Sequence, residues 1–283
     1  MGKIKDNNRD NGKGNSNSSR CIDVIRLMEK YAEPSLAESW DNIGLMVGDE
    51  NAYITNVLVA LDINDDVIEE AILKECNLII THHPFIFKGL KSITTSDVIG
   101  TRVMKLIKNN INVFSAHTNL DIAKNGTNDT LANLLNLKNM GNLFDNNNSE
   151  WGLGRVGELE ESLKLGEVID EVKKVLDLGN IVVCGDINKE IKRIGICTGA
   201  GGEVDFINQA IVRGCDLYIT ADLKYHNAQH AKDLGLCLID ATHYASENII
   251  VPVVRDYLNK CARKLNLNFR SYGSEVDGQM FKI

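Results

Sequence analysis

An internal repeat is the sequence feature that most constrains how this chain folds. Residues 76–81 (CNLIIT) align without a gap to residues 215–220 (CDLYIT). The same spacing matches Asp66 to Asp205. Each copy runs as strand, helix, strand, helix, strand, and such alternation is typical of a largely parallel or mixed sheet covered by helices. The repeat therefore predicts an α/β protein of two pseudo-symmetric, intertwined lobes with a site between them.

The predicted boundaries of the lobes follow the repeat and the composition. The first lobe is expected over residues 20–143, joined by residues 240–283, and the second over residues 150–239. Residues 139–154 are rich in Asn and Gly and are the best candidate for a linker. Residues 1–19 contain no apolar stretch, so we expect a disordered tail that buries too little surface to offset the entropy lost on ordering.

The pattern also predicts individual elements, several of which end just before candidate site residues. Strands are expected near residues 57–61, 78–81, 112–115, 181–184 and 193–198. Helices are expected near residues 21–32, 65–74, 97–108, 128–135, 163–176, 204–212, 223–234 and 244–265.

Two adjacent histidines follow the apolar run of the first copy. Only six histidines occur in the chain, and His82 and His83 stand between Thr81 and Pro84 at the end of a predicted strand. Inside a strand, neighbouring side chains point to opposite faces of the sheet and would not share a site. Beyond the strand, Pro84 imposes an extended or turn conformation on His83. Both imidazoles are then expected at the carboxyl edge of the sheet, where open α/β folds bind ligands.

Two His-x-x-x-carboxylate pairs stand at matching points of the two copies. These pairs are His117 with Asp121 and His243 with Glu247. On a helix such residues lie on one face, about 5–6 Å apart, which suits two ligands of one metal ion. One pair arises often by chance, whereas two pairs and a His-His dipeptide together indicate a metal site. Mixed His and carboxylate ligands suit Zn, Mn, Fe or Co and do not choose among them.

Some of these histidines and carboxylates allow a second interpretation. Asp121 could instead cap a helix that begins near residues 126–127. His117 could be a sixth ligand, a residue that orients Asp121, or a general acid or base, and we favour the last two roles. His226 and His230 are also four residues apart, but they lie on a polar helix whose face we expect to be solvated.

A glycine-rich loop, residues 198–202 (TGAGG), follows a strand of the second copy. Backbone N–H groups at a helix N-terminus bind anions, but the loop matches neither nucleotide-binding fingerprint. We therefore favour a tight turn over a phosphate cradle. Lys88 and Lys91 are either phosphate contacts or ordinary surface lysines. Asp41 and Asn42 could hydrogen-bond a substrate or residues that support the metal ligands, whereas the neighbouring Trp40 could simply belong to the core.

Composition excludes several classes of function. A net charge of −8 and a pI near 5.3 argue against a surface that coats nucleic acid. The seven cysteines form no Cys-x-x-Cys pair, and their odd number suggests small buried residues in a reducing compartment. The first residues lack the apolar core of a signal peptide, and no segment approaches the roughly 20 apolar residues needed to span a bilayer. These observations favour a cytoplasmic protein.

Four motifs in order make the chain resemble the Nif-three-like family, whose members are known as GTP cyclohydrolase I type 2 homologues. The resemblance covers residues 20–283. The motifs are residues 38–48 (ESWDNIGLMVG), residues 81–84 (THHP), residues 115–121 (SAHTNLD) and residues 240–247 (DATHYASE).

The resemblance implies a two-lobed α/β protomer, a toroidal homohexamer and two divalent metal ions per protomer. By motif, the metal ligands would be His82, His83, Asp121, His243 and Glu247, with Glu247 as a bridge and His117 beside the site. This sequence departs from the usual motifs of the family at two positions. The family usually has Gln where this chain has Met46, and it often has Gly where this chain has Thr242. Neither is an implied ligand, although Met46 could change what the site accepts.

The leading hypothesis is a dinuclear metal-dependent hydrolase of a nucleotide-like or phosphorylated small molecule, with His117 moving a proton. The family name implies opening of the purine ring of GTP, but no residue here identifies guanine. The alternative is a non-enzymatic metal- and ligand-binding regulator or scaffold that forms a ring. An NAD- or ATP-dependent enzyme is a weaker hypothesis, because neither phosphate-loop fingerprint is present.

Overall fold

Strands and helices alternate along the chain, as the α/β prediction requires. The computed structural model describes residues 18–146 and 150–281. The helices are α1 (Cys21–Tyr31), α2 (Asp65–Leu73), α3 (Val98–Lys108), α4 (Thr118–Ile122), α5 (Thr127–Leu134), α6 (Leu165–Val175), α7 (Val204–Val212), α8 (Tyr225–Asp233), α9 (His243–Asn248) and α10 (Ile250–Leu265). The strands are β1 (Gly44–Val47), β2 (Asn56–Ala60), β3 (Leu78–Thr81), β4 (Asn112–Ser115), β5 (Lys138–Asn142), β6 (Arg155–Lys164), β7 (Val182–Cys184), β8 (Glu190–Ile196), β9 (Leu217–Thr220), β10 (Cys237–Asp240) and β11 (Arg270–Gly273).

The first sheet has five strands in the order β1-β4-β3-β2-β11. The last four of these run parallel to one another, and β1 lies antiparallel to β4 at the edge. Every residue of β3 and β4 is buried, because α1 and α10 cover one face of the sheet and α2 and α3 cover the other. Short apolar runs without alternation are expected for strands buried on both faces.

The second sheet has six strands in the order β5-β6-β8-β9-β10-β7. Its centre, β8-β9-β10, is parallel, whereas β5, β6 and β7 pair antiparallel with their neighbours. Helices α5 and α6 pack on one face, and α7 and α8 pack on the other. The two sheets are therefore both mixed and both covered by helices.

The sequence repeat corresponds to a repeated structural unit. Strands β3 and β9 have the predicted spacing at both of their ends, and so do helices α2 and α7. In each sheet the next parallel strand leads into a short helix, α4 after β4 and α9 after β10. The carboxyl ends of these strands carry the candidate site residues of both copies.

The predicted linker over residues 139–154 is wrong in its first part. Strand β5 extends to Asn142 and pairs with β6 across an irregularity in register. The side chains of β5 are exposed or half-buried, so this strand leaves no hydrophobic pattern in the sequence. Residues 147–149, which also belong to the predicted linker, lie outside the described residues.

The single helix predicted over residues 244–265 is two helices, α9 and α10. The break falls at Ile249, which ends α9 and precedes α10. Pro252 explains the break, because proline has no N–H to donate to the carbonyl of residue 248 and is tolerated only in a first helical turn.

The C-terminal part of the chain returns to the first sheet, where β11 pairs with β2. Of the tail predicted over residues 1–19, only residues 18 and 19 are described. Ser19 is buried and its Oγ accepts a hydrogen bond from the N–H of Asn268 (2.8 Å), so it belongs to the folded lobe. Within the described residues, no helix combines the length and apolar character that crossing a membrane requires.

Candidate metal centre

The two adjacent histidines lie directly beyond β3, with their backbone still paired to β2. The N–H of His82 donates to the carbonyl of Ala60 (3.3 Å), and that of His83 donates to the carbonyl of Leu61 (3.0 Å). The hydroxyl of Thr81 donates to the carbonyl of His83 (2.8 Å) and fixes the turn. Pairing continues past the strand, so both rings are held on a rigid edge of the sheet.

The rings of these two histidines are oriented by different acceptors. Nδ1 of His82 lies 3.0 Å from the backbone carbonyl of Ala116, whereas Nδ1 of His83 donates to Oδ1 of Asp62 at 2.8 Å. In each case this hydrogen bond leaves Nε2 as the nitrogen that faces the site. Hydrogen bonds of this kind fix the tautomer of a metal-binding histidine.

His243 and Glu247 lie on one face of α9, as their spacing predicts. Nε2 of His243 is 3.0 Å from Oε2 of Glu247. Nδ1 of His243 donates to Oδ2 of Asp222 (2.8 Å), which mirrors the arrangement of Asp62 with His83. In both copies a histidine at one strand end is held by an aspartate that follows the neighbouring parallel strand.

Glu247 is the centre of the cluster. Its Oε2 lies 2.9 Å from Nε2 of His83, while its Oε1 lies 3.7 Å from Nε2 of His82. The carboxylate is 3% exposed, so water does not solvate it freely. One oxygen of this buried carboxylate therefore faces His83, and the other faces His82.

Asp121 joins the buried histidine rather than capping a helix. Its Oδ1 is 3.4 Å from Nε2 of His82 and accepts a hydrogen bond from the hydroxyl of Thr127 (2.5 Å). Helix α5 has Gly126 at its N-cap and no side-chain cap. The capping role considered for Asp121 is therefore absent.

Nε2 of His82 is buried and has no hydrogen-bond partner. Leaving such a nitrogen unsatisfied away from water costs about 1–3 kcal/mol. The nearest charged atoms are carboxylate oxygens of Asp121 and Glu247, at ligand-like rather than hydrogen-bonding geometry. A cation between these three groups would satisfy all of them at once.

The charges of the cluster shift the pKa values of its histidines upward. Burial alone would lower the pKa of His82, but Asp121 and Glu247 raise it above its usual range. Burial also disfavours the charge on His83, yet hydrogen bonds to Asp62 and Glu247 raise its pKa to about 10. The hydrogen bond to Glu247 raises the pKa of His243 to about 9. The cluster thus holds positive charge in the absence of a metal.

The two buried carboxyl groups shift in opposite directions. Burial raises the pKa of Asp121, although the charge of His82 opposes this effect. Burial would raise the pKa of Glu247 as well, but the charge of His82 and hydrogen bonds from His243 and His83 hold it well below its usual range. Glu247 is therefore anionic and available as a ligand.

Among the residues that the structure describes, three groups of side chains could hold a cation, because the ligand atoms of each group lie within 4.8 Å of one another. One group is His83, His243 and Glu247, and a second is His82, Asp121 and Glu247. Glu247 belongs to both of these groups. The third group is formed by His82, His83 and His117. Nitrogen and oxygen donors without thiolate are the ligands that suit Zn, Mn, Fe or Co.

The glycine-rich loop of residues 198–202 packs against this carboxylate. Gly199 has a φ of +66°, and a Cβ on it would come within 1.9 Å of Oε1 of Glu247. The N–H of Gly201 donates to the carbonyl of Gly199 (2.9 Å), which makes the tight turn that we favoured. A side chain at position 199 would displace a candidate ligand, a constraint that the sequence alone did not reveal.

His117 does not pair with Asp121, contrary to one of the roles considered for it. Its Nδ1 donates to Oδ1 of Asp41 (2.9 Å), and its ring centroid is 5.2 Å from that of His82. The other oxygen of Asp41 accepts hydrogen bonds from the N–H and the hydroxyl of Thr118 (3.0 and 2.6 Å). Burial opposes the charge on Asp41, yet these bonds lower its pKa to about 2.

A cavity of about 430 Å³ opens onto the cluster. His83, Asp121, His243 and Glu247 form its polar floor, and His117 lies in its wall. The cavity therefore exposes four of the five candidate ligands to a small molecule.

Other polar residues considered from the sequence do not line this cavity. His226 is exposed, as predicted, and Lys88 and Lys91 are exposed and do not line the cavity. Asn42 donates to the carbonyl of Ile86 (2.5 Å), and its Nδ2 is 3.5 Å from Sδ of Met46.

Sequence reasoning missed Asp62 and Asp222. The repeat contained a signal for both residues. Asp62 precedes His83 by 21 residues, Asp222 precedes His243 by the same number, and each aspartate follows a buried strand.

Comparison with known proteins identifies relatives along nearly the whole chain. The profile of the family described as Duf34/NIF3 (NGG1p interacting factor 3) matches residues 19–277. A Clostridium acetobutylicum protein named GTP cyclohydrolase 1 type 2 homolog is 41% identical over 253 residues, which are 89% of this chain and 94% of the relative.

Solved structures of similar proteins share the fold. A Bacillus cereus protein related to NIF3 superposes with a TM-score of 0.88 and 27% identity, covering 95% of this chain and all of that chain (100%). Reduced HcgD from Methanocaldococcus jannaschii gives a TM-score of 0.79 and 32% identity, covering 92% of this chain and 99% of its own.

Proposed function

This chain belongs to the Duf34/NIF3 family, and we propose that it is a hydrolase that depends on two divalent metal ions. The observation that carries the proposal is the position of Glu247. Its Oε2 faces His83 and His243, whereas its Oε1 faces His82. The unsatisfied Nε2 of His82 supports it independently, because an ion there would remove the cost of burying that atom.

Five residues would hold the ions. Glu247 would bridge them, with His83 and His243 on one side and His82 and Asp121 on the other. Zn, Mn, Fe and Co all fit these donors. When bound, two such ions supply Lewis acidity next to the bond that is cut.

His117 is the residue that we propose to move a proton. Asp41 accepts from its Nδ1 and so leaves Nε2 as the nitrogen that can exchange a proton with a molecule in the cavity. Because the pKa of Asp41 is lowered to about 2, Asp41 stays ionised and holds this tautomer at every physiological pH. An aspartate that fixes a catalytic imidazole in this way is a recurrent device in hydrolases.

The substrate class that we propose is a nucleotide-like or phosphorylated small molecule. Relatives carry the name GTP cyclohydrolase 1 type 2 homolog, which points to purine-ring opening as one reaction to test. The proposal rests on reaction class rather than on GTP.

The function is tested by turnover with and without His117. Metal-loaded protein is screened against nucleotides and phosphoesters, and His117→Ala should lower kcat at least a hundredfold while the metal content per protomer stays unchanged. His226→Ala is the matched control, because that histidine is exposed on α8.

A non-enzymatic scaffold predicts another result. In that case no substrate turns over, His117→Ala has no kinetic effect, and only changes at ligands such as His243 alter assembly or ligand affinity. That pattern would reject the hydrolase.

We further propose that six copies form a ring in the cytoplasm. The family resemblance is the first support for the ring. A second is that the related helices α2 and α7 each end in a large apolar side chain, Leu73 and Val212, which are 82% and 77% exposed. The seven free cysteines support a reducing compartment. Light scattering should give about six times the chain mass of 31.3 kDa, and a monomer would reject the ring.

A further inference from the structure

The walls of the cavity differ in character from its floor. Trp40, Phe87 and Phe206 line it beside the candidate ligands. Trp40 and Phe87 are 59% and 49% exposed, and their ring centroids are 6.0 Å apart. Large aromatic rings left half-exposed next to a polar site mark a surface that binds something apolar.

The loop that carries Trp40 is fixed in place. Asp41 is held by His117 and by Thr118, and the N–H of Glu38 donates to the hydroxyl of Thr118 (2.9 Å). The Trp40 ring also meets the His117 ring edge to face, with centroids 6.2 Å apart. The ring is therefore preorganised as a platform over the cavity, which lowers the entropy cost of binding.

The charges around the cavity limit what else a ligand can carry. Among the described residues that line it, none is Lys or Arg, and the acidic ones are Asp121 and Glu247. The exposed Lys88 and Lys91 follow Phe87 in the sequence but do not line the cavity. Proteins that bind several phosphates normally surround them with Arg, Lys or backbone N–H donors. A triphosphate chain would therefore find no Lys or Arg side chain among the described residues that line this cavity.

We propose that the cavity binds a planar heteroaromatic ring of nucleobase size, carried by a molecule without a polyphosphate chain. The ring stacks on Trp40, and its polar edge points toward His117 and the candidate ligands. A volume of about 430 Å³ accommodates a nucleoside-sized molecule. This inference rests on the proposed function for its location at the metal ligands, but ring binding itself requires no turnover.

Calorimetric titration of the metal-loaded full-length protein tests the proposal. The probes are guanosine, adenosine, cytidine and uridine, their mono- and triphosphates, and ribose 5-phosphate. We expect at least one nucleoside or monophosphate to bind with a Kd below 1 mM and at least tenfold more tightly than its triphosphate. Ribose 5-phosphate should bind at least tenfold more weakly than that ligand, because it has no ring to stack.

Variants of the aromatic wall provide the control. Trp40→Leu should weaken binding of the preferred probe at least tenfold, whereas Trp40→Phe should restore it to within about threefold of the original protein, since it keeps a ring. Tyr225→Leu removes an aromatic side chain that is 79% exposed outside the cavity and should change nothing.

Several outcomes would overturn the inference: no probe binds with a Kd below 1 mM, a triphosphate binds most tightly, ribose 5-phosphate binds as well as the nucleosides, or Trp40→Leu leaves binding unchanged.

These experiments distinguish failure of ring binding from failure of the proposed hydrolase function. Binding that depends on Trp40 without any turnover would reject the hydrolase and keep the ring site. If a substrate without a ring is turned over and Trp40→Leu does not change its rate, the hydrolase is kept and the ring site is rejected.

Discussion

The two sides of the Glu247 carboxylate differ in burial and in how their histidines are held. On the buried side are His82, whose Nε2 faces Oε1, and Asp121, and their side chains are 1% and 11% exposed. His82 is oriented by a backbone carbonyl there. On the open side, facing Oε2, are His83 and His243, whose side chains are 22% and 36% exposed.

The difference shows that one carboxylate can join two unequal environments. On the buried side the fold itself positions the candidate ligands, through the carbonyl of Ala116 just beyond β4 and the close approach of the glycine-rich loop. On the open side two surface aspartates, Asp62 and Asp222, position the imidazoles and raise their basicity. We therefore expect metal affinity at the open side to depend on pH and on surface substitutions. Metal affinity at the buried side should depend on packing.

The largest expected effect is that of pH on metal affinity at the open side. Hydrogen bonds to Asp62 and Glu247 raise the pKa of His83 to about 10, and the bond to Glu247 raises that of His243 to about 9, so protons compete with a cation for these imidazoles at pH 7. A cation must displace these protons, and affinity therefore rises with pH, by up to about a hundredfold per pH unit for two protons. Titration with Zn²⁺ or Mn²⁺ in buffers of different ionisation enthalpy measures the protons released. Binding at pH 7 without proton release would contradict this prediction.

A change of packing against the Glu247 carboxylate should have the next largest effect. Gly199→Ala places a methyl group against Oε1 of Glu247, so metal affinity should fall about ten- to a hundredfold. Gly214→Ala is the matched control, because Gly214 has a similar φ of +71° but no atom within 4 Å of the added Cβ. Both variants carry the same backbone strain, so equal loss of metal in the two would show that strain alone is responsible.

Substitution of the surface aspartates should weaken the open side by a smaller factor. Asp62→Asn or Asp222→Asn keeps the shape of the side chain but removes the charge that holds the histidine, and should cost about tenfold in metal affinity. Asp65→Asn, which alters an exposed ion pair with Arg102, serves as the control. If all three variants bind metal equally, the aspartates do not contribute to the site.

The smallest expected effect concerns the residue before His243. Thr242 has φ +58° and ψ 146°, a conformation that suits glycine and strains a β-branched residue. Thr242→Gly also loses the capping hydroxyl, but glycine at an N-cap costs only a few tenths of a kcal/mol. It should therefore raise the free energy of unfolding by about 1 kcal/mol, net of this loss and of the entropy cost of glycine. Thr242→Ala removes the hydroxyl that caps α9 but keeps the Cβ, and should be destabilising. Chemical denaturation measures both, and stabilisation by Ala but not by Gly would refute the role of strain.

The sequence predicts the parts of this site that follow from strand ends and helical spacing. Apolar runs locate β3 and β9, and the residues beyond them must lie at the carboxyl edges of the sheets. The i, i+4 spacing predicts the contact of His243 with Glu247, which the structure shows at 3.0 Å.

The features that the sequence does not reveal depend on contacts between distant segments. Asp41 reaches His117 across 76 positions, and Gly199 meets Glu247 from a loop of another strand. Strand β5 is exposed and polar, so its pairing with β6 leaves no periodic signal. Local patterns therefore specify elements, whereas only the packed chain specifies which polar groups meet.

Metal content per protomer is the most direct test that Glu247 joins two ions into one centre. Elemental analysis is made on protein purified without a metal-affinity tag, as the original chain, Glu247→Ala and the control Glu203→Ala, which removes an exposed carboxylate paired with Lys224. We predict about two equivalents of a transition metal in the original chain and the control, and less than half an equivalent in Glu247→Ala, because both sides lose a ligand. No bound metal in the original chain after incubation with Mn, Zn and Fe, or two equivalents retained in Glu247→Ala, would contradict the account.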